Sequence, residues 1–136
     1  MTRIGLDANI VLRALLNDHP RQSSAARDLL ATLNAERRGY LGVSALLEIF
    51  WVLRSRYRIP REALCETMRE LLMTEHLEIE TSDAVVRALA HYRKGRIDFQ
   101  DALLAERNAE SGCDYTLTLD RDAAKAIPTM ELLKGA

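Results

Sequence analysis

The sequence of 136 residues has a formal net charge of −1 and is 48% hydrophobic, which suits one folded domain over residues 1–136 and excludes a disordered chain. No apolar run reaches membrane-spanning length and the N-terminus lacks a signal-peptide layout, so we expect a cytoplasmic protein without membrane contact. The two cysteines, Cys65 and Cys113, show no CxxC spacing, which agrees with a reduced cytosolic setting.

The first half of the chain predicts strands that alternate with helices. Short apolar runs predict strands at residues 3–7 and 39–43, because neither run is long enough for a helix. Apolar residues at helical spacing predict helices after each strand. We expect these helices to begin at Asn9, behind Ser23 or Ser24 as a cap, behind Ser44 as a cap, and at Pro60 as a first residue.

The second half continues the same alternation. Strands are expected at residues 77–80, 115–119 and 130–132, the last of them set apart by Pro128. The helices between them are expected to run from a cap at Thr81 or Ser82 to Lys94 before Gly95, from a cap at Asp98 to Ser111 before Gly112, and briefly near Ala123 and Ala124. Such alternation predicts a three-layer α/β/α fold with a mostly parallel central sheet.

Acidic residues recur at positions where a predicted strand ends and the following helix begins. In open parallel sheets the functional groups gather at the carboxyl ends of strands, so these acids are expected to lie near one another. They are Asp7, Glu48, the pair Asp98 and Asp101 three residues apart on one helix, and the pair Asp120 and Asp122. Carboxylates brought together repel one another unless a cation neutralises them.

A divalent metal is therefore the expected cofactor. Three or four carboxylates suit Mg²⁺, with Mn²⁺ also possible, and water completes an octahedral shell. Zinc is less favoured, because the histidines and cysteines show no paired ligand spacing. A bound magnesium ion can activate water and stabilise a phosphodiester in the act of cleavage, so the acids indicate a metal-dependent enzyme acting on phosphodiesters.

Four segments resemble the PIN-domain ribonucleases, and in particular the VapC-type toxins of bacterial type II toxin–antitoxin systems. The segments are LDANIVLR at residues 6–13, SALLEIFWVL at 44–53, DFQDALLA at 98–105 and TLDRD at 118–122. Each segment alone is a weak signal, but the ordered set is specific and spans nearly the whole chain.

The resemblance implies a Mg²⁺-dependent endoribonuclease that cleaves structured RNA, either tRNA or rRNA, and so arrests translation. Asp7, Glu48, Asp101 and Asp120 match the family's acidic positions, with Asp7 and Asp101 as the first choice for direct metal ligands. The residues that match supporting positions are the auxiliary acids Asp98 and Asp122 and the polar residues Asn9 and Thr118. The family also implies a homodimer, and a cognate VapB-like antitoxin whose C-terminal segment covers the acidic pocket.

Several residues keep a second interpretation. Asp98 also suits an N-cap, Asp122 also suits the start of a short helix, and Glu106 stands where many relatives carry a small residue. The apolar residues Phe50, Trp51 and Leu53 are expected in the core or in a dimer contact, although an RNA-stacking surface is an alternative. Cys65 is expected in the core.

Basic residues form three local clusters in a chain whose near-zero net charge does not itself indicate a nucleic-acid binder. The clusters are Arg37 and Arg38, Arg54 with Arg56 and Arg58, and Arg93 with Lys94 and Arg96. They either contact phosphates or form ordinary solvated helix faces, and the second is the commoner case.

Two other classes of function compete with the nuclease. A phosphoacceptor signalling domain also has an acidic Mg²⁺ pocket, but it needs paired acids after the first strand and a late lysine, whereas Ala8 and Asn9 follow Asp7. A non-catalytic module whose acidic pocket receives a partner's arginine is the other alternative, and it is expected to tolerate the loss of Asp101.

Overall fold

The computed structural model describes residues 1–95 and 97–135, so Arg96 of the third basic cluster lies outside the described residues. The chain divides into two compact units, Met1–Glu80 and Thr81–Ala136, which we name the N-terminal and the C-terminal unit. Among the described residues, no helix combines the length and the apolar character needed to cross a membrane.

The N-terminal unit contains a parallel three-stranded sheet in the order β1-β2-β3. Its elements in chain order are β1 (Thr2–Gly5), α1 (Ala8–Leu16), α2 (Pro20–Ala31), β2 (Arg37–Leu41), α3 (Val43–Ser55), α4 (Arg61–Leu72) and β3 (Leu77–Ile79). Gly39 lies in the central strand, where an added Cβ would come within 3.0 Å of the Leu33 side chain and 3.2 Å of Leu6 and Leu77. A side chain at this position would therefore disturb the packing over the sheet.

Helical spacing of apolar residues decides which face of each helix is buried. On α3 the buried residues are Val43, Leu46, Ile49, Phe50 and Leu53, and on α4 they are Leu64, Cys65, Met68 and Leu71. The expectation that Cys65, Phe50 and Leu53 are core residues is confirmed. Trp51 is not a core residue, because it points from the opposite face of α3 and is 50% exposed.

The C-terminal unit pairs two helices and adds a two-stranded parallel sheet, β4-β5. Its elements are α5 (Ser82–Lys94), α6 (Phe99–Glu110), β4 (Thr116–Thr118), α7 (Arg121–Ala126) and β5 (Met130–Leu132). Buried Val85, Ala88 and Leu89 of α5 and Phe99, Ala102 and Leu103 of α6 supply the apolar faces of this pair. The predicted α/β class with parallel pairing is confirmed in both units.

The predicted helices and strands are all present, and the strand bounds differ from the predicted ones in four cases. β1 and β2 begin and end one or two residues earlier than predicted, β3 and β4 are shorter, and β5 has the predicted bounds. The predicted caps at Asp98 and Thr81 are correct as N-cap positions, and Pro60 is an N-cap instead of a first helical residue. The prediction that Ser23 or Ser24 caps α2 is wrong. The helix begins at Pro20, whose fixed φ suits a first turn, and the His19 Nδ1 atom accepts a hydrogen bond from the Gln22 amide at 3.1 Å.

The prediction that Ser44 caps α3 is also wrong. The N-cap residue is Gly42, and the cap itself comes from a distant side chain, because the amide of Val43 donates to Glu80 Oε1 at 2.8 Å. Glu80 follows β3, whose end is hydrogen-bonded to the end of β2. The sheet therefore brings a carboxylate from 37 residues away to the first turn of α3.

Candidate acidic site

Asp7 lies just beyond the end of β1 and is the N-cap residue of α1. Among the described residues its carboxylate accepts no capping hydrogen bond from the first turn of that helix, although an aspartate at this position usually does. The side chain is exposed. The Asp7 oxygens are therefore available for a ligand at the positive end of the α1 dipole.

Glu48 lies in the second turn of α3 and is exposed. Because β1 and β2 are adjacent and parallel, α1 and α3 both start from the same edge of the sheet. Asp7 and Glu48 thus come from helices that leave this edge side by side, as expected for the carboxyl ends of parallel strands. Asn9 lies in the first turn of α1 and lines a groove between α1 and α2 together with Arg13 and Gln22.

Glu80 is an acid at the same sheet edge that sequence reasoning did not single out. Its side chain accepts the hydrogen bond from the Val43 amide and so caps the helix that carries Glu48. The signal in the sequence is its position at the end of a predicted strand, but the cap depends on a contact that spacing alone does not reveal. Glu80 is therefore assigned a structural role at the site.

Replacing Glu80 with alanine is expected to lower the free energy of unfolding by about 1 kcal/mol, since the first turn of α3 loses its capping acceptor. Glu80→Gln keeps an amide oxygen at the same place and is expected to lose less. Urea denaturation of both variants measures the difference. Equal stability of Glu80→Ala, Glu80→Gln and the unmodified protein would show that the cap contributes nothing.

In the C-terminal unit, Asp98 and Asp101 lie at the start of α6. Asp98 is the N-cap residue, and its Oδ1 atom accepts a 3.4 Å hydrogen bond from the amide of Gln100. The structural interpretation of Asp98 as a cap is confirmed. Asp101 lies in the first turn and its side chain is only partly exposed.

The carboxylate of Asp120 also caps a helix. Asp120 is the N-cap residue of α7, and its Oδ1 atom accepts from the amide of Ala123 at 3.1 Å. The backbone amide of Asp120 in turn donates to Thr118 Oγ1 at 3.0 Å, so Thr118 fixes the backbone that carries this carboxylate. Asp122 is exposed in the first turn of α7, which agrees with its alternative role at a helix start.

The electrostatics of the C-terminal unit single out Asp101. Burial raises the pKa of its carboxyl above the usual value of 3.8, and the negative charges of Asp98 and Asp120 raise it further. Three predicted site residues of this unit therefore interact, although they come from the starts of two different helices. Repulsion among unneutralised carboxylates is the condition that a bound cation relieves.

Asp98→Asn and Asp98→Ala are expected to separate capping from ligand binding. Asparagine caps a helix about as well as aspartate, so Asp98→Asn is expected to keep the stability and the activity of the protein. Asp98→Ala loses the cap and about 1 kcal/mol of stability. Thermal unfolding and a nuclease assay on both variants check this, and a stable but inactive Asp98→Asn would instead make Asp98 a ligand.

Glu106, the residue noted as a departure from the family pattern, has a structural role. Its carboxylate accepts from Arg87 Nε at 2.6 Å and lies 3.5 Å from His91 Nε2, and both partners are on α5. Glu110 adds a second contact to Arg87 at 3.2 Å. These ion pairs tie α5 to α6 and so hold the helix whose first turn carries Asp101.

The acidic residues predicted to bind a metal would offer carboxylate oxygens as ligands. Such ligands suit magnesium or manganese better than zinc. Within residues 1–95 and 97–135, no three or more His, Cys, Asp and Glu side chains form a group arranged to hold a metal ion. The carboxylates of the C-terminal unit interact through their charges without forming such a group.

Comparison with known proteins assigns the family. A search of curated proteins finds no significant match to this chain. A family model of the PIN domain matches residues 3–122, which covers most of the chain and includes every acidic residue discussed above. The chain therefore belongs to the PIN-domain family, whose members are generally nucleases.

Proposed function

We propose that this protein is a divalent-metal-dependent endoribonuclease, the VapC-type toxin of a type II toxin–antitoxin pair. The observation that carries the proposal is the match of the PIN-domain family model to residues 3–122, and the interaction of Asp101 with the carboxylates of Asp98 and Asp120 supports it. Membership of a family that consists generally of nucleases favours this function over a phosphoacceptor domain or a non-catalytic acidic module. Because the family match spans residues of both compact units, we propose that residues 1–136 form one PIN-like domain.

In this proposal Asp7, Glu48, Asp101 and Asp120 hold Mg²⁺ or Mn²⁺. When bound, the ion neutralises these carboxylates and stabilises the negative charge that develops on the scissile phosphate. Asp120 is held in place by its cap to Ala123 and by Thr118, so its orientation does not depend on the ion. Asp98 and Glu80 accept hydrogen bonds from the first turns of the helices that carry Asp101 and Glu48, and so they help to position these two residues.

Ionised carboxylates are required for this chemistry. The raised pKa of Asp101 means that protonation competes with the cation at a higher pH than for an ordinary aspartate. Cleavage is therefore expected to fall as pH is lowered towards the pKa of Asp101, and higher metal concentration is expected to restore part of it. Asn9, exposed on α1, is proposed to orient a group at the site.

The proposed partners are structured RNA, a second copy of the chain and a VapB-like antitoxin. An antitoxin C-terminal segment that covers the acidic residues would block both the cation and the RNA. This part of the proposal rests on the resemblance of the four segments and on family membership.

The experiment that tests the toxin function is mapping of the 5′ ends of cellular RNAs after brief induction. The unmodified protein is expected to create new 5′ ends at one or a few sites in tRNA or rRNA and to arrest growth. The Asp101→Ala variant, expressed to the same level, is expected to create none. Growth arrest without new RNA ends, or identical ends with Asp101→Ala, would contradict the proposal.

A further inference from the structure

Helix α3 presents an exposed stripe that begins near the proposed site. Its exposed residues recur every three or four positions and are Ser44, Glu48, Trp51 and Ser55. Trp51 is the one large apolar member of this stripe and is 50% exposed, while its neighbour Phe50 is 3% exposed. A half-exposed tryptophan places a large apolar and aromatic surface in contact with water. Such residues are typical of binding sites.

Arginines follow Trp51 at the C-terminal end of the helix. The Arg56 guanidinium lies 5.8 Å from the centre of the Trp51 ring, and Arg54 lies at the same distance from the ring of Phe50. Arg58, which is exposed, follows with a left-handed backbone at φ 51°. Exposed aromatic rings interleaved with arginines are the combination that binds unpaired nucleic acid, by stacking on bases and by contact with phosphates.

The segment after α3 is fixed to the rest of the N-terminal unit. The Tyr57 hydroxyl donates to Asp18 Oδ2 at 2.9 Å, and Asp18 is paired with Arg13 at 3.0 Å. The hydrogen bond from Tyr57, with a further one from Arg13, lowers the pKa of Asp18. The acid in contact with this segment is therefore already paired with a cation, so it does not cancel the charge of Arg56 and Arg58.

We propose that Trp51 and Arg56 form a subsite that binds one unpaired RNA base and its phosphate next to the cleavage site. The inference rests on the proposed function, because Glu48 marks that site. Glu48 and Trp51 are three residues apart, so they share a face of α3 and differ by about 4.5 Å along its axis. A nucleotide stacked on Trp51 thus lies about one helical turn from a proposed metal ligand.

Charge favours RNA over a second copy of the chain as the occupant. Near a two-fold axis each residue lies close to its own copy, so a symmetric contact centred on the end of α3 would bring Arg54, Arg56 and Arg58 close to the same arginines of the second copy. Like charges placed opposite one another disfavour association, whereas the phosphates of RNA neutralise them.

The chain contains a single tryptophan, so its fluorescence reports on this subsite alone. The experiment titrates Asp101→Asn protein, which is expected not to cleave, with short single-stranded RNA in EDTA. Stacking of a base on Trp51 is expected to quench the fluorescence in a saturable way. An oligoribonucleotide of equal length without bases carries the same charge and is expected to bind with little quenching.

Variants then test whether the stacking contributes to affinity, measured by anisotropy of dye-labelled RNA. Trp51→Ala is expected to weaken binding about tenfold to a hundredfold, and Trp51→Phe, which keeps a ring, is expected to retain most of the affinity. Arg56→Ala is expected to weaken binding and to reduce its salt dependence. Tyr115→Ala is the matched control, since Tyr115 is equally exposed and lies in the C-terminal unit.

Three results would overturn the inference: no quenching by RNA, equal affinity of Trp51→Ala, or a fluorescence change that follows protein concentration instead of RNA. The last would identify a contact between copies of the chain. These titrations need neither metal nor cleavage, so their outcome does not depend on the proposed nuclease activity. Cleavage by the unmodified protein with an unchanged KM in Trp51→Ala would refute the subsite alone, and no cleavage under any condition would refute the proposed function.

Discussion

Replacement of Asp101 by asparagine is expected to abolish RNA cleavage and to make the protein more stable at neutral pH. The loss of activity follows from the loss of a proposed metal ligand and is expected to be about a hundredfold or more. The gain in stability follows from the raised pKa of Asp101, which shows that its charge is unfavourable in the folded protein. An isosteric variant that loses activity but gains stability indicates that the original residue serves function at a cost in stability.

The raised pKa of Asp101 determines in which direction the stability of the protein changes with pH. The folded protein binds the Asp101 proton more tightly than the unfolded chain does, so ionisation of Asp101 destabilises the fold as pH rises from the ordinary value of 3.8 through the raised one. The stability advantage of Asp101→Asn is therefore expected to be complete at neutral pH and to shrink as pH falls towards 3.8. Thermal unfolding of both proteins over this range measures it, with a higher Tm for Asp101→Asn expected at neutral pH.

Magnesium provides the second readout for Asp101. A cation that binds the folded protein raises its Tm by mass action, so Mg²⁺ is expected to stabilise the unmodified protein relative to EDTA. Asp101→Asn is expected to respond much less. A variant that is no more stable at neutral pH, or one that responds to Mg²⁺ like the unmodified protein, would remove Asp101 from the site.

Asp7→Asn is expected to abolish cleavage while leaving stability within about 0.5 kcal/mol of the unmodified protein. The reason is that the Asp7 carboxylate accepts no capping hydrogen bond from α1 among the described residues, so little structure depends on it. The expected loss of activity is again about a hundredfold or more. Urea denaturation and an RNA cleavage assay measure the two effects separately.

The matched control for Asp7→Asn is Asp28→Asn. Asp28 is an exposed acid of α2, so its replacement removes the same charge from the same unit. It is expected to leave both stability and cleavage unchanged. If Asp7→Asn retained full activity, or if Asp28→Asn lost as much, the effect would belong to net charge and not to a ligand.

The helices were predictable because their evidence is local. Apolar residues such as Leu46, Ile49, Phe50 and Leu53 recur at helical spacing, and this pattern places them in the core without knowledge of the sheet. The same periodicity places Glu48 on the opposite face. The cap of α6 at Asp98 was predictable for the same reason, since donor and acceptor are two residues apart.

Features that depend on distant contacts were not predictable. The cap of α3 comes from Glu80 through the pairing of β2 with β3, so the nearby Ser44 was the wrong choice. The raised pKa of Asp101 arises from burial, from Asp98 and from Asp120. Only Asp98 is visible in the spacing along α6, because burial and the approach of Asp120 depend on the tertiary fold. The partners of Glu106 lie on α5, so the sequence showed an unusual residue without its purpose.

The central claim is that the acidic residues form a metal-dependent ribonuclease site. Its most direct test is cleavage of end-labelled RNA by purified protein, free of any antitoxin, in Mg²⁺, in Mn²⁺ and in EDTA. We expect cleavage at discrete sites with either metal, none in EDTA, and none with Asp101→Asn under any of the three conditions. Cleavage that persists in EDTA or in Asp101→Asn, or no cleavage of total cellular RNA with either metal, would contradict the account.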